Sequence, residues 1–266
     1  MAKKLRFLWN NLIDQAALTA SSEDAEFPVE NVAHDLFLKA WRSTGFVTES
    51  VVANLSALAS ASRQVRAWAI KYHNLAYVAG DSYKVQGSDN DLAGAGNPGG
   101  GDVDQIFTPT AEMIVGFFAA AKDFDYWRWI LNSPASKSSG DYQRIGRIFL
   151  GDYFQPTFDV TVAPESQLVD PSEILRTYQG QEYANLATPY ELLSYLWEML
   201  PDSDIAAFKT MFQEVGKSKP FFICENASAV GGAYTVTRYV KFYEDPIYRP
   251  VINGWKAVSI RVKTER

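Results

Sequence analysis

The sequence predicts a mainly β protein in which a β-sandwich is followed by a smaller α+β domain. The first half carries several strand-length apolar runs separated by turn-rich segments, with no amphipathic helix between them. The aromatic content of 14% also favours sheets, because broad rings suit sheet faces and protein contacts. With 266 residues, 47% of them hydrophobic and 21% charged, the chain is long enough for one large globular domain or two modest ones.

The strands of the first half are predicted from short apolar runs with turns on both sides. A run of strand length, or an alternation of apolar and polar side chains, is typical of a half-buried strand. The predicted strands are residues 65–72, 83–86, 114–118 and 126–131, with a last one inside 142–150. Between them, residues 87–104 are dense in Gly, Asp and Asn, and residues 133–141 are a second turn-rich stretch. Both stretches predict surface loops.

The segment between two prolines in the second half predicts a helix. Residues 189–200 place four leucines and Trp197 at helical spacing. Pro189 stands where a helix can begin, and Pro201 stands where one must stop. We therefore expect a helix between these two prolines.

A second helix and three strands are predicted to complete the C-terminal half. Ser203 is a suitable cap for a helix that Gly216 ends, and apolar residues recur between them at helical spacing. The strand-like segments that follow are residues 220–224, 234–242 and 257–262. Helices followed by strands indicate an α+β domain. We place the boundary near residues 162–167, which gives domains at 1–163 and 164–266.

Charge and cysteine content argue against several classes of protein. The net charge of −6 does not favour nucleic-acid binding, which needs an excess of Lys and Arg. Asn10, Asn11 and Asp14 interrupt the basic and apolar start, so it does not predict a signal peptide. No apolar run reaches the roughly 18 residues of a membrane span. The lone Cys224 cannot form an internal disulfide, so we expect synthesis in the cytoplasm.

The sequence predicts no catalytic residue. Nucleophilic catalysis usually needs a histidine as base. Only two are present: His34, which we expect to be solvated in a polar turn, and His73, which we expect to make a structural hydrogen bond at a strand end. Cys224 follows an apolar run, which favours an inert, buried thiol.

Two pairs of acids are candidates for glycoside hydrolysis, which needs only two carboxylates. They are Asp123 with Asp125, and Glu49 with Asp81. Nothing in the sequence fixes the separation within either pair. Exposed loop acids are therefore the favoured interpretation.

The loop at residues 87–104 carries candidate ligands for Ca²⁺, which prefers oxygen donors. They are Asp89, Asn90, Asp91, Asn97, Asp102 and Asp104. The spacing of an EF-hand is missing, so a solvated loop without metal is favoured. Gly94, Gly96 and Gly99 resemble a phosphate loop only superficially, because no Lys-Ser or Lys-Thr follows them. We predict no cofactor-binding and no metal-binding residue.

Two Trp-Arg pairs, Trp41-Arg42 and Trp127-Arg128, have a possible role in recognition. Adjacent residues of a strand face opposite sides, so one member of each pair points to the core. One interpretation is an aromatic and guanidinium platform for a sugar; the favoured one is a buried Trp beside an Arg that ties a loop. The aromatics that we instead expect at subunit contacts are Tyr153, Phe154 and Tyr243.

A set of short segments follows a definite order along the first half of the chain: residues 7–11, Ala20-Ser21-Ser22, residues 27–32, Trp41-Arg42-Ser43, His73-Asn74-Leu75, Gly87-Ser88-Asp89, Tyr126-Trp127-Arg128 and residues 145–151. In this order they resemble the galactose-binding-like (discoidin-like) jelly-roll sandwich of many phage virion proteins, and the resemblance covers roughly the first 155 residues. The loop at 87–104 departs from this pattern in its length and glycine content. The helix at 204–216 and the following Lys219-Pro220-Phe221-Phe222 look like a small domain of phage distal-tail and tail-tip proteins.

The resemblance implies a structural, non-enzymatic protein of the virion, located in the tail tip or baseplate region. It implies assembly with other phage tail proteins and with copies of itself in a ring-like homo-oligomer. The alternative is a carbohydrate-binding module that recognises host surface glycans, since a sandwich fold alone does not establish function. A depolymerase ranks third.

Overall fold

The computed structural model describes residues 5–36, 38–92, 102–110, 113–161, 165–176, 178, 181–225 and 236–265. The chain forms two compact units. Residues 10–153 make up the first, which we call the sandwich unit. The segment up to Trp9 and the chain from Phe154 onward make up the second, which we call the α+β unit. The predicted boundary between residues 163 and 164 lies outside the described residues.

Strands dominate both units. In chain order they are β1 Leu5–Leu8, β2 Ala17–Ala20, β3 Trp41–Arg42, β4 Thr48–Asn54, β5 Val65–Lys71, β6 Ser82–Ser88, β7 Val103–Phe107, β8 Met113–Lys122, β9 Tyr126–Asn132, β10 Arg144–Ile145, β11 Arg147–Gly151, β12 Glu165–Val169, β13 Glu173–Arg176, β14 Glu182–Asn185, β15 Tyr190–Pro201, β16 Phe221–Glu225, β17 Val236–Phe242, β18 Ile247–Ile252 and β19 Trp255–Thr264. Short 3₁₀ turns lie at Leu12–Gln15, Val29–Ala33 and Ser60–Ser62. The one α-helix among the described residues is α1, Asp202–Val215.

The sandwich unit contains two main antiparallel sheets. One has the order β2-β4-β9-β6-β7, the other has the order β11-β5-β8, and β3 pairs with β10 in a separate ribbon. Val51, Trp129 and Val85 stand side by side in register across the larger sheet, and all three are buried. Aromatic rings fill much of this core; those that are fully buried include Trp41, Trp68, Trp127, Trp129 and Tyr83. The predicted strands of the first half and the loop at 133–141 are confirmed.

The α+β unit is built on one seven-stranded antiparallel sheet. Its order is β1-β16-β17-β19-β15-β12, with β18 also paired to β19. Helix α1 packs on this sheet through Phe208, whose ring lies 5.3 Å from those of Phe7 and Trp197. The helix ends at Gly216, which has a positive φ of 51° that suits glycine. The predicted end of this helix is confirmed.

The predicted helix over residues 189–200 is wrong, because this segment is strand β15. Leu193, Tyr195 and Trp197 are buried at every second position, which is the period of a strand. A break in register between Trp197 and Leu200 brings Leu200 back into the core. The leucine spacing fits the period of a helix as well as that of a strand. Pairing of β15 with its neighbouring strands decides in favour of the strand.

The start of α1 also differs from the prediction. The cap position is Pro201, which makes no side-chain cap bond, and the helix begins at Asp202 rather than after Ser203. Asp202 and Asp204 lie in the first turn, where the helix dipole favours negative charge. Asp204 accepts hydrogen bonds from the backbone and the hydroxyl of Thr157, at 2.7 and 3.2 Å.

The mainly β class predicted from the sequence is confirmed: the described residues form a β-sandwich and a smaller unit that combines a seven-stranded sheet and a two-stranded hairpin with one helix. Within the described ranges, no helix has the length and apolar character needed to cross a membrane.

A glycine in the smaller sheet of the sandwich allows the sheets to close over Trp68. Gly116 stands opposite Trp68 in the β5–β8 register, and a Cβ at Gly116 would lie 2.3 Å from two atoms of the indole. The indole cannot easily move, because its Nε1 donates to Gln105 Oε1 at 3.0 Å and its ring packs on Phe107.

We expect Gly116→Ala to lower the free energy of unfolding by about 1–3 kcal/mol through overpacking, as measured by urea denaturation. In a Trp68→Phe background the same change should cost clearly less, because the smaller ring leaves space for the methyl group. An equal cost in both backgrounds would contradict this packing.

Candidate functional site

Two arginines stand directly opposite each other on the short ribbon of the sandwich unit. The register of β3 with β10 pairs Arg42 with Arg144. Residues paired in this way lie on one face with Cβ atoms roughly 5 Å apart, and like charges there destabilise a sheet. A sequence that keeps two cations at such a position departs from a local rule of stability, and such departures concentrate at functional sites.

The surroundings of Arg42 leave part of its hydrogen-bonding capacity unused. Its guanidinium lies 4.0 Å from the centre of the Tyr142 ring and 5.8 Å from that of Phe27. Asp24 forms an ion pair with Arg42, at 3.7 Å from Nε, but this distance is too long for a hydrogen bond. Within the described chain, the buried Nε of Arg42 has no acceptor. The Arg42 side chain is nevertheless 39% exposed, so a ligand can reach it.

Arg144 is the second cation of this surface. Its backbone is firmly held, since its N–H donates to the side-chain oxygen of Asn74 at 2.8 Å. Its side chain is half-buried, and among the described residues it makes neither an ion pair nor a hydrogen bond. A buried or half-buried guanidinium normally has a carboxylate or carbonyl partner. We call Arg42, Tyr142 and Arg144 the arginine surface.

The loop after β5 supports the arginine surface through hydrogen bonds to the segment that carries Tyr142 and Arg144. Asn74 donates from Nδ2 to the carbonyl of Tyr142 at 2.9 Å, and its own N–H donates to the carbonyl of Arg144 at 3.3 Å. Tyr72, at the start of this loop, has a φ of +59°, which is a strained conformation for a bulky residue. The N–H of Gly146 donates to the carbonyl of Tyr72 at 3.1 Å and helps to hold it there.

His73 is a half-buried titratable group of the same loop. Its Nδ1 accepts from the N–H of Leu75 at 3.2 Å, so the neutral ring carries its proton on Nε2. That Nε2 is buried and has no hydrogen-bond partner in the described part of the chain. Burial lowers the pKa of His73 to about 4. The predicted structural hydrogen bond of His73 is therefore present, and the only N–H donor of the ring has no partner among the described residues.

The arginine surface offers donors and an aromatic ring on a rigid support. Strands fix both arginines, and Asn74 fixes the strand that carries Arg144. Such an arrangement can donate hydrogen bonds to molecules rich in oxygen acceptors, such as sugar hydroxyls and carboxylates. It contains no carboxylate pair and no nucleophile.

The candidate carboxylate pairs are occupied by other bonds. Asp123 receives Arg63 Nε at 2.6 Å, and Asp125 is in an ion pair with the same guanidinium. Glu49 accepts from the hydroxyls of two serines, and Asp81 accepts three backbone N–H groups in its turn. The predicted exposure of these acids is wrong: Asp123 and Asp125 are half-buried, Asp81 is buried, and Glu49 is buried within strand β4. Their bonds to neighbouring segments hold the chain in place rather than leaving the carboxylates in solvent.

The loop acids suggested as calcium ligands fall partly outside the described residues, which include neither Asn97 nor the glycines at 94, 96 and 99. Of the rest, Asp89 accepts the N–H of Asp125, and Asp104 receives Lys84 Nζ at 3.0 Å. No group of three or more potential metal ligands occurs within the described residues.

The Trp-Arg pairs split between the two interpretations. Trp41 and Trp127 are fully buried. Arg128 is buried too and donates to the carbonyl of Leu92 at 3.1 Å, so it ties a loop as expected. Arg42, by contrast, is partly exposed and belongs to the arginine surface.

Three further candidates have structural positions. Burial raises the pKa of the Cys224 thiol to about 12, which fits an inert cysteine. Phe154 is packed against Phe7 and Phe208 rather than free for a subunit contact. Tyr153 lies under the guanidinium of Arg66, at 4.6 Å.

Arg144 and Tyr142 are the residues that the sequence did not single out. Their segment was predicted as the approach to a strand, but the pairing of β10 with β3 joins residues far apart in the chain. The only sequence signal for this part of the site is a basic residue within the Arg144-Ile145-Gly146-Arg147 run. Its possible role in binding becomes recognisable only when the structure places Arg144 opposite Arg42.

No family model matches the chain, and no curated protein matches it. Solved structures with some similarity include the family 32 carbohydrate-binding module from C. perfringens NanJ in complex with galactose, with 13% identity, a TM-score of 0.38 and coverage of 56% of this chain and 99% of that one. A Streptococcus pneumoniae fucose binding module has 13% identity, a TM-score of 0.39 and coverage of 54% and 95%. The family 32 module from S. pneumoniae EndoD has 14% identity, a TM-score of 0.39 and coverage of 54% and 99%. Similarity this low does not carry a ligand from one protein to another.

The depressed pKa of His73 gives stability a specific dependence on pH. The unfolded chain takes up this proton near pH 6.5, but the folded chain does so only near pH 4. The contribution is therefore complete above about pH 6.5 and is lost as the pH falls toward 4.

We expect the native chain to lose about 2 kcal/mol of unfolding free energy between pH 7.5 and pH 5, relative to the loss shown by His73→Gln. Urea denaturation at both pH values measures the difference. His34→Gln, the change at the other histidine, should keep the full loss. If His73→Gln loses as much as the native chain, the half-buried neutral imidazole is not responsible.

Proposed function

We propose that the sandwich unit is a non-catalytic glycan-binding module that uses the arginine surface as its contact site. The observation that carries the proposal is the Arg42–Arg144 register pair. Arg42 lies over the Tyr142 ring with an Nε that has no acceptor, and the Arg144 side chain has no protein partner among the described residues. Both arginine side chains are partly exposed, so a bound ligand can supply acceptors to their accessible guanidinium nitrogens that no described residue supplies.

Sugars suit this surface better than other oxygen-rich ligands. Nucleic acids are recognised by many cations along an extended track, whereas this site offers two in a chain of net charge −6. A sugar presents several acceptors within a small area, which matches two neighbouring forks of N–H donors. A carboxylated or otherwise anionic sugar would also relieve the repulsion between the two arginines.

The proposal is tested by screening the full chain on a panel of neutral and acidic oligosaccharides, followed by calorimetric titration of the best binder. We expect Arg144→Ala to weaken binding at least about tenfold, because it removes charge-assisted hydrogen bonds from the site. Tyr142→Ala should also weaken binding, since Arg42 then loses the ring that positions it.

Arg249→Ala is the matched control for this titration. Arg249 is an exposed arginine of the α+β unit and, among the described residues, it makes no ion pair. Its loss should leave binding unchanged. Binding that survives Arg144→Ala, or no binding across the whole panel, would overturn the proposal.

A second candidate function is assembly into a phage tail, which the family resemblance of the sequence suggests. The observation that favours it lies in the α+β unit, where β13 and β14 form a two-stranded hairpin with every residue exposed. Exposed apolar side chains on such a hairpin are typical of protein contacts. Peptides of this chain should then appear in purified tailed particles by mass spectrometry, and their absence from particles would remove this candidate.

A further inference from the structure

The hairpin of β13 and β14, which we call the arm, carries apolar side chains on both faces. Leu175 and Tyr183 are register partners on one face and are 57% and 56% exposed. Ile174, which pairs with Ala184 on the other face, is 68% exposed. Register partners share a face and neighbours alternate, so neither face of the arm is covered.

The arm has little to stabilise it on its own. Its two strands pair only with each other among the described residues. An isolated two-stranded hairpin is marginally stable in water, and this one has four residues in each strand. Covering its apolar side chains against another sheet would stabilise it.

Strand β18, in the same unit, has an open edge of matching character. It pairs with β19 on one side and with no other described strand. Its exposed residues include Ile247, Val251 and Ile252, the last of them 58% exposed. Pro250 lacks an N–H group, and proline in a sheet marks an edge strand. An open, apolar edge is a template for the addition of another strand.

The sheet separates the arm from the β18 edge of its own chain. The arm follows Val169 and precedes Tyr190, beside the end of β19 where Glu191 N–H donates to Thr264 Oγ1. Strand β18 pairs with the other end of β19, from Trp255 to Ser259, and on its opposite side. At roughly 3.4 Å per residue the two features are on the order of 20 Å apart along the strand.

We propose that the arm of one copy docks on the open β18 edge of a second copy of this chain. The inference rests on the assembly role proposed above and supplies the contact for it. Arm and edge are different surfaces, so the contact is heterologous and repeats from copy to copy, as in a ring or a filament. The charges of the two surfaces are complementary. Glu173 on the arm and Arg249 on β18 have opposite charges, and neither forms an ion pair within the described residues.

The docking is tested on the full chain by sedimentation velocity over a range of concentrations. We expect Leu175→Glu to raise the dissociation constant for self-association at least about tenfold, by placing a charge in an apolar contact. Ile106→Glu makes the same kind of change at a position of the sandwich unit that is 68% exposed, and it should leave association unchanged. Both positions are exposed, so neither variant should lower the urea midpoint.

Cross-linking identifies the two surfaces directly. Leu175→Cys and Ile252→Cys are prepared as separate variants and mixed with a flexible bismaleimide, while the native Cys224 is buried and inert. We expect a covalent dimer in the mixture and none in either variant alone.

The outcomes separate the docking from the assembly role. Self-association that Leu175→Glu leaves intact, together with no cross-link in the mixture, overturns the arm–β18 contact but not assembly. A cross-link in Leu175→Cys alone indicates arm against arm and also overturns it. A chain that stays monomeric at every concentration overturns self-assembly altogether.

Discussion

The hydrogen bonds of Asn74 fix the geometry on which the candidate site depends. One side-chain amide donates to the carbonyl of Tyr142 and accepts the N–H of Arg144, so it sets both ends of the segment that enters β10. The position of β10 in turn sets the register that puts Arg144 opposite Arg42. Because Asn74 holds the backbone of this segment before a ligand binds, the ligand does not have to order it at a cost in affinity.

The two units present different kinds of group without a protein partner: polar donors on the sandwich unit and apolar side chains on the α+β unit. On the sandwich unit the guanidinium groups of the arginine surface have no hydrogen-bond acceptor among the described residues, and in our proposal a polar, oxygen-rich ligand supplies one. On the α+β unit the arm has apolar side chains without cover, which another protein surface satisfies. A glycan-binding module and an assembly contact are therefore compatible in one chain, because they draw on different residues and different forces.

The sequence predicts strands well where the apolar residues fit only the period of a strand. It predicts them less well where the same spacing also fits the period of a helix. The runs that contain Trp68 and Trp129 are strands as expected, because aromatic cores favour sheets. The leucines before Pro201 fit a helix and a strand equally, and only pairing with β19 decides. The candidate site is harder still: Arg42 and Arg144 become neighbours through a strand pairing that a single sequence does not reveal.

The most direct test of glycan binding at the arginine surface is backbone NMR of the ¹⁵N-labelled chain titrated with the best-binding oligosaccharide. The account predicts that the largest shift changes fall on the amides of Arg42, Arg144 and Asn74, with the arm unaffected. Changes confined to the α+β unit, or to the opposite end of the sandwich around Asp123, would contradict it.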